Sequence, residues 1–203
     1  MAVQRASAAK ESPDLRRRII EAAEKIFVEE GYGNFSMRRV AQSAGCSQMA
    51  AYRHFANKEA LTQHLCAILY SDFATRMLSQ MRVTADPIKQ VHIFIATLMD
   101  FAVAYPDHYS QIFLIRHTDP EVIAEREQLG QRFLEDIHAL VKKLMPPGTS
   151  AAVTNTKLRQ ILTCLHGTAA LLIAHPRTYD LTKQRAVRDT VDVVNRILAV
   201  DPA

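Results

Sequence analysis

Gly45 joins two short segments whose apolar residues recur with a helical period, and that junction constrains the fold more than any other feature of the chain. Before it, Ser36 is predicted to cap a helix whose small apolar face is Val40, Ala41 and Ala44. After it, Ser47 is predicted to cap a second helix running toward Phe55. Two helices joined by a tight glycine turn form a helix-turn-helix. Ala41 and Gly45 stand four residues apart. A small residue at the first lets the helices cross closely, and glycine at the second takes the turn conformation with no Cβ penalty. Val40, Ala44, Cys46 and Ala51 are the expected shared core.

Burying that core exposes the other side of the second helix, which carries Ser47, Gln48, Met49, Tyr52, Arg53 and His54. Glutamine can pair bidentately with an adenine edge in the major groove. Serine, tyrosine and basic groups reach phosphates and fix register. Lys58 opens the next helix, where an ammonium beside the free N–H groups of a positive helix end suits a phosphate. The same spacing also fits a helical hairpin buried in a core, with Tyr52 and His54 as amphipathic surface residues. The net charge is +4; residues 1–65 hold ten Lys/Arg against seven Asp/Glu, and residues 66–203 hold fifteen against fourteen. The excess in the first third suits a polyanionic partner, although a solvated charged face has the same composition.

The remaining chain reads as helix after helix. Hydrophobic residues make up 48% of the sequence, with only six Gly and eight Pro to interrupt it, so an all-α chain of about nine helices is expected. Residues 1–12 read as a disordered arm. Ser12-Pro13 supplies a cap and first turn for a helix with Leu15, Ile19, Ala22, Ala23, Ile26 and Phe27 on one face, ended by Gly31 and Gly33. Asn57 is the expected cap of a long fourth helix. Asp86-Pro87 opens a fifth ending before Pro106, a short sixth runs through Phe113, and Asp119-Pro120 opens a seventh reaching Met145. The eighth and ninth are expected at about 151–175 and 181–200. The expected organisation is the arm, a three-helix helix-turn-helix domain at 13–60 and a larger helical body at 61–203.

Several classes lack their signatures. Cys46, Cys66 and Cys164 are odd in number and far apart, with no zinc spacing, which suits reduced thiols. No His-Glu-x-x-His occurs, and His108, His117, His138, His166 and His175 are scattered, so no metal is expected. No nucleophile elbow, phosphate loop or dinucleotide glycine motif appears, so no catalytic residue and no cofactor is expected. The N-terminus lacks an apolar signal region. The apolar run near Val91–Tyr105 is interrupted by His92 and Asp100 and reads as too short and too polar for a membrane. A cytoplasmic protein with no membrane partner is the expectation.

The stretch SMRRVAQSAGCSQMAAYRHFANKEAL, Ser36 to Leu61, resembles the N-terminal domain of TetR-family transcriptional regulators. The resemblance extends over about residues 13–65. It rests on an ordered set: Glu-x-Gly-Tyr at the end of the first helix, a serine-capped second helix, Ala-Gly, Ser, Tyr-x-His-Phe and Asn-Lys-Glu-Ala-Leu. It implies that Arg38, Gln48 and Met49 face bases and that Ser36, Ser47, Tyr52, His54 and Lys58 meet phosphates. Arg53 shares their exposed side, and Arg16, Arg17 and Arg18 could add backbone contacts. Met49 stands where the family often has Gly or Pro, Ala50 where Thr is frequent, and Ala51 where a bulkier residue is common. These departures leave the operator sequence unspecified.

The resemblance further implies that the body at 61–203 dimerises and binds an unknown small molecule. Leu158, Ile161, Leu162, Leu165, Ala169, Leu172 and Ile173 form an apolar stripe in the eighth helix, and Val187, Val191, Val194 and Leu198 another in the ninth. They suit a four-helix dimer bundle, with burial inside one subunit as the alternative. Gly167 within the eighth helix would be explained by a close helix approach. The local Leu165-His166-Gly167 is similar to a subgroup with Trp-His-Gly. A pocket is expected from His92, Phe94, Leu98, Met99, Phe101, Phe113, Leu114 and His166, although such aromatics at helical spacing are usually core. The resulting expectation is a homodimeric repressor released from palindromic double-stranded DNA by a ligand that tilts the fourth helix. A helical-bodied enzyme and a ligand-free DNA-bridging protein are the rivals.

Overall fold

The computed structural model describes residues 13–116 and 120–199. The arm at 1–12, the Ser12 and Asp119 caps, His117 and the end of the ninth helix at Val200 lie outside the described residues. Among the described residues every regular element is helical, as the sequence predicts. The order is α1 (Pro13–Asn34), α2 (Met37–Ser43), α3 (Gln48–His54), α4 (Lys58–Met81), α5 (Pro87–Ala104), α6 (Pro106–Tyr109), a π-helical turn (Ser110–Leu114), α7 (Pro120–Leu144), α8 (Ala151–Ala174) and α9 (Lys183–Leu198). Two compact units divide at Leu65/Cys66, so the boundary falls inside α4.

Caps set these bounds. The Asp86 carboxylate accepts from the Ile88 and Lys89 amides, with Pro87 in the first turn. Asn57 Oδ1 accepts from the Ala60 amide at 2.7 Å. Ser150 and Thr182 cap α8 and α9 in the same way. Gly31 takes a φ of 75° and kinks α1, which resumes for another turn to Asn34. The predicted sixth helix instead splits into α6 and the π-helical turn, whose wider ring accommodates a residue the α-helical period has no place for.

The first unit buries Ile19, Ala22, Ala23, Ile26, Phe27, Phe35, Met37, Val40, Ala41, Ala44, Ala51, Phe55, Leu61 and Leu65 as one cluster. Cys46 lies at its edge, half-buried, not inside as the sequence implies. In the second unit α5 is central, packing against α7, α8 and α9. By length and composition α5 is apolar enough to cross a membrane, contrary to the reading from His92 and Asp100. Its Val91, Phe94, Ile95, Leu98, Met99, Phe101 and Ala102 are nevertheless core side chains of the body.

The stripes expected at a dimer face are, in large part, core. Ile161, Leu165, Ala169 and Leu172 of α8, and Val194 and Leu198 of α9, are buried within this one chain, where the two helices pair. Burial inside a subunit, the alternative reading, applies to them. Gly167 is exposed, and among the described residues a Cβ added there would meet nothing within 4 Å, so no close approach among them accounts for it.

Candidate nucleic-acid interface and helical body

Gly45 has a φ of 66°, the left-handed conformation the turn requires. Its amide and that of Cys46 bond back to the Gln42 and Ala41 carbonyls at 3.2 and 2.9 Å, closing α2. Ser47 then caps α3, its hydroxyl accepting from the Ala50 amide at 3.1 Å. Fully buried Ala51 faces the core and fixes the rotation of α3. That rotation exposes Gln48, Met49, Tyr52 and Arg53 together; Met49 is 73% and Tyr52 45% exposed. Two large apolar groups held in water on one short helix, beside a glutamine and an arginine, match a surface that contacts a partner.

The neighbouring arginines behave differently. Arg39 donates to Glu30 at 2.8 Å and to the Asn34 carbonyl at 3.2 Å. Arg17 and Arg18 pair with Asp14. Arg16 lies over the Phe55 ring, 5.1 Å from its centroid, and 3.4 Å from His64 Nε2. Arg38 and Arg53 are exposed, with no ion pair to a described residue. Ser36 spends its hydroxyl on the Arg39 amide as the α2 cap, and half-buried His54 ends α3.

Lys58, expected among the phosphate contacts, is engaged within the head. Its ammonium donates to the Tyr32 carbonyl at 3.0 Å and lies 3.8 Å from the Tyr32 ring centroid, with the Phe35 ring at 5.9 Å. It ties the start of α4 to the segment after the α1 kink. The sequence carries the signal, an aromatic immediately after the kinking glycine, but nothing in a linear pattern pairs residue 32 with residue 58.

In the body, Phe94, Leu98, Phe101 and Met99 pack in the core, while Phe113 is half-buried on the π-helical turn and Leu114 is exposed. His166 and Phe113 meet, with ring centroids 4.9 Å apart. His92 is directed elsewhere, its Nε2 3.0 Å from Asn195 Oδ1 where α5 meets α9. Tyr109, unmarked by the sequence reading, is fully buried, with its hydroxyl 2.6 Å from His166 Nδ1. Burial holds the Tyr109 hydroxyl well above the ordinary phenol range and lowers His166, so both are neutral near pH 7. Burial also takes His108 down to about 4 against a weaker opposing pull from Asp107. Among the described residues no group of three or more His, Cys, Asp or Glu is placed to hold a metal ion.

The α2–Gly45–α3 unit, with its outward polar face, defines a helix-turn-helix DNA-binding protein. Residues 19–65 match the N-terminal signature of bacterial regulatory proteins of the tetR family, and residues 91–198 match the tetracyclin repressor-like C-terminal domain. The second match spans more than half of the chain, and the chain belongs to the TetR family, one of transcriptional regulators and not of enzymes.

Among curated relatives, the HTH-type transcriptional regulator UidR of Escherichia coli is 38% identical over 82 residues, 40% of this chain and 38% of UidR. A Staphylococcus aureus HTH-type transcriptional regulator is 41% identical over 56 residues, 28% of this chain and 30% of that protein. The aligned region thus spans under two-fifths of these relatives' length. Solved structures share the fold over nearly the whole chain. A Rhodococcus transcriptional regulator aligns with a TM-score of 0.70 at 20% identity, over 92% of this chain and 99% of its own. FadR from Bacillus subtilis, solved with stearoyl-CoA, aligns at 0.69 and 16% identity, over 90% and 97%.

Proposed function

We propose that the protein is a homodimeric repressor that binds a palindromic operator through α3 and is released by a small-molecule inducer. The observation that carries the DNA reading is the exposed face of Gln48, Met49, Tyr52 and Arg53, set by the buried Ala51 and joined by the exposed Arg38. Gln48 and Arg38 are assigned to base edges, with Met49 as an apolar contact. Ser36, Ser47, Tyr52, Arg53 and His54 are assigned to the backbone, where they fix register. The protein acts in the cytoplasm, where its operator is.

A single seven-residue recognition helix reads few bases, and two-fold symmetry doubles the site. Support for the dimer lies on the outward side of α8 and α9. There Thr156, Arg159, Gln160, Thr163, Cys164, Val193 and Ile197 line a shallow groove of about 480 Å³. Exposed Gly167 and Leu171 continue that side of α8. A second copy of α8 crossing there would give Gly167 the close neighbour it lacks among the described residues. Ligand control follows if the inducer binds the DNA-incompetent state more tightly than the competent one.

The test is binding of the full-length protein to its own upstream duplex against excess random duplex at near-physiological salt. Two protomers per site and resistance to competitor are expected. Arg38→Ala and Gln48→Ala should each cost ~1–3 kcal/mol at the preferred site and relax preference at one position. If random duplex removes the protein completely from every selected fragment, and both variants lose affinity equally for all sequences, the ligand-free bridging reading replaces this one.

A further inference from the structure

One arginine of α2 reaches back onto α1 instead of out into solvent. Gly31, with a φ of 75°, interrupts α1 shortly before its end at Asn34, and backbone carbonyls beyond such a break need other donors. Two cations serve two of them. The Lys58 ammonium donates to the Tyr32 carbonyl at 3.0 Å. The Arg39 guanidinium donates to the Asn34 carbonyl at 3.2 Å.

Arg39 does more than satisfy that carbonyl. Its Nη2 donates to Glu30 Oε1 at 2.8 Å, and its Nη1 lies 2.5 Å from Glu30 Oε2, a two-pronged pair. Asn34 closes the ring, its Nδ2 donating to the Glu30 carbonyl at 3.0 Å. The Arg39 amide donates in turn to the Ser36 hydroxyl that caps α2. One residue thus holds the α2 cap with its backbone and the end of α1 with its side chain.

Arg38 is its neighbour in the same turn, exposed and without an ion pair to a described residue. Successive side chains on a helix diverge by about 100°. Pinning Arg39 onto Glu30 therefore fixes the rotation of this turn and sends Arg38 to another side. The buried Met37 and Val40 hold α2 to the core, but apolar burial is not directional, and a two-pronged ion pair is. The pair is also electrically closed. A phosphate that drew Arg39 away would leave the Glu30 carboxylate unpaired beside a polyanion.

We propose that Arg39 is a positioning residue for operator reading: held by Glu30 and the Asn34 carbonyl, it aims Arg38 at its base pair and takes no phosphate itself. This rests on the reading of the head as an operator-binding domain. It adds a residue that contacts neither bases nor backbone and yet sets which base pair is read.

The probe is a duplex fragment that the full-length protein selects from its own genomic DNA, with each base pair varied in turn and random duplex as the control. Arg39→Gln and Glu30→Gln change the charge of the head in opposite directions. Both should nevertheless weaken binding of the selected fragment by about three- to five-fold, the scale of a well-formed, half-exposed pair. Both should flatten preference at the base pair that Arg38→Ala flattens, and keep it at the base pair that Gln48→Ala flattens. Arg39→Gln should leave the slope of log K against log salt as in the wild type. Arg39→Lys, which keeps the charge without the fork, should also flatten the Arg38 position. A gain for Glu30→Gln with a loss for Arg39→Gln, a slope lowered by about 0.9 in Arg39→Gln and normal binding by Arg39→Lys would make Arg39 a phosphate contact and overturn the proposal. Preference unchanged in all three variants, or flattened equally at every position, overturns it too and leaves the operator reading standing, as does an Arg38→Ala that flattens no position. A wild-type protein that selects no fragment over random duplex removes the operator reading itself, and this proposal with it.

Discussion

The two units solve the same problem with different side chains. The head buries five alanines, Ala22, Ala23, Ala41, Ala44 and Ala51, beside nine larger apolar side chains, with Ala41, Ala44 and Ala51 placed where α2 and α3 cross. The body buries Phe73, Met77, Phe94, Leu98, Met99, Phe101, Tyr109, Phe133 and Leu165. The head must hold two seven-residue helices close enough to fix one polar face, and small residues permit that approach. The body has long helices, and it fills the space between them with aromatic and sulfur-containing volume. The head is therefore intolerant of added bulk and the body of removed bulk.

The largest expected effect breaks the body. Leu165 is fully buried between α8 and its neighbours. Leu165→Ala should destabilise the second unit by ~2–5 kcal/mol, read as a lower urea midpoint with unchanged slope. The reciprocal change is Ala51→Leu, which adds volume where Ala51 has no exposed surface. It should cost ~1–3 kcal/mol and rotate α3 off its reading face, abolishing operator preference. If Ala51→Leu binds DNA normally, the small-residue account of the head is wrong, since a bulkier residue would then fit the same crossing.

These two units are unequally legible in the sequence. The head can be read almost residue by residue because its signals are local: a cap at Ser36, a cap at Ser47 and a glycine between them all act within a few residues. The body's helices are legible for the same reason, as Asp86-Pro87 shows. Its arrangement is not. An apolar stripe on α8 has the same period whether it faces α9 of its own chain or another copy, so the pattern alone gives Ile161 and Leu165 the wrong partner. The Tyr109–His166 bond spans 57 residues, and the Lys58–Tyr32 contact 26, and no periodicity encodes either. The π-helical turn is invisible because an inserted residue leaves the apolar pattern nearly unchanged.

Acid should separate the two units again. His108 is buried in the body with its pKa lowered to about 4 by desolvation. The folded chain keeps it neutral while the unfolded chain protonates it near pH ~6.5. Between pH ~6.5 and about 4 the unfolded state thus binds more protons, and stability falls as pH falls; below about 4 this contribution stops changing. At about pH 5 the loss from His108 should reach at most about 2 kcal/mol relative to about pH 7.5. His166 acts in the same direction. The check is the urea midpoint of the body at the two pH values. A slope that His108→Gln leaves unchanged would assign the acid sensitivity elsewhere.

The smallest expected effect sharpens the comparison most, because it concerns a charge the head uses internally. Lys58 has one N–H on the Tyr32 carbonyl and its ammonium over the Tyr32 ring. If this interaction is its main role, Lys58→Met and Tyr32→Leu each reduce head stability by ~0.5–1 kcal/mol, and the double variant by less than the sum. Affinity for all duplexes should then fall slightly, with an unchanged dependence on salt. If Lys58 leaves the ring to meet a phosphate, Lys58→Met alone should lower the slope of log K against log salt by about 0.9 for each phosphate it neutralises. Tyr32→Leu would then leave that slope as it was. The salt titration decides between the two because a cation–π interaction inside the protein releases no counterion from DNA.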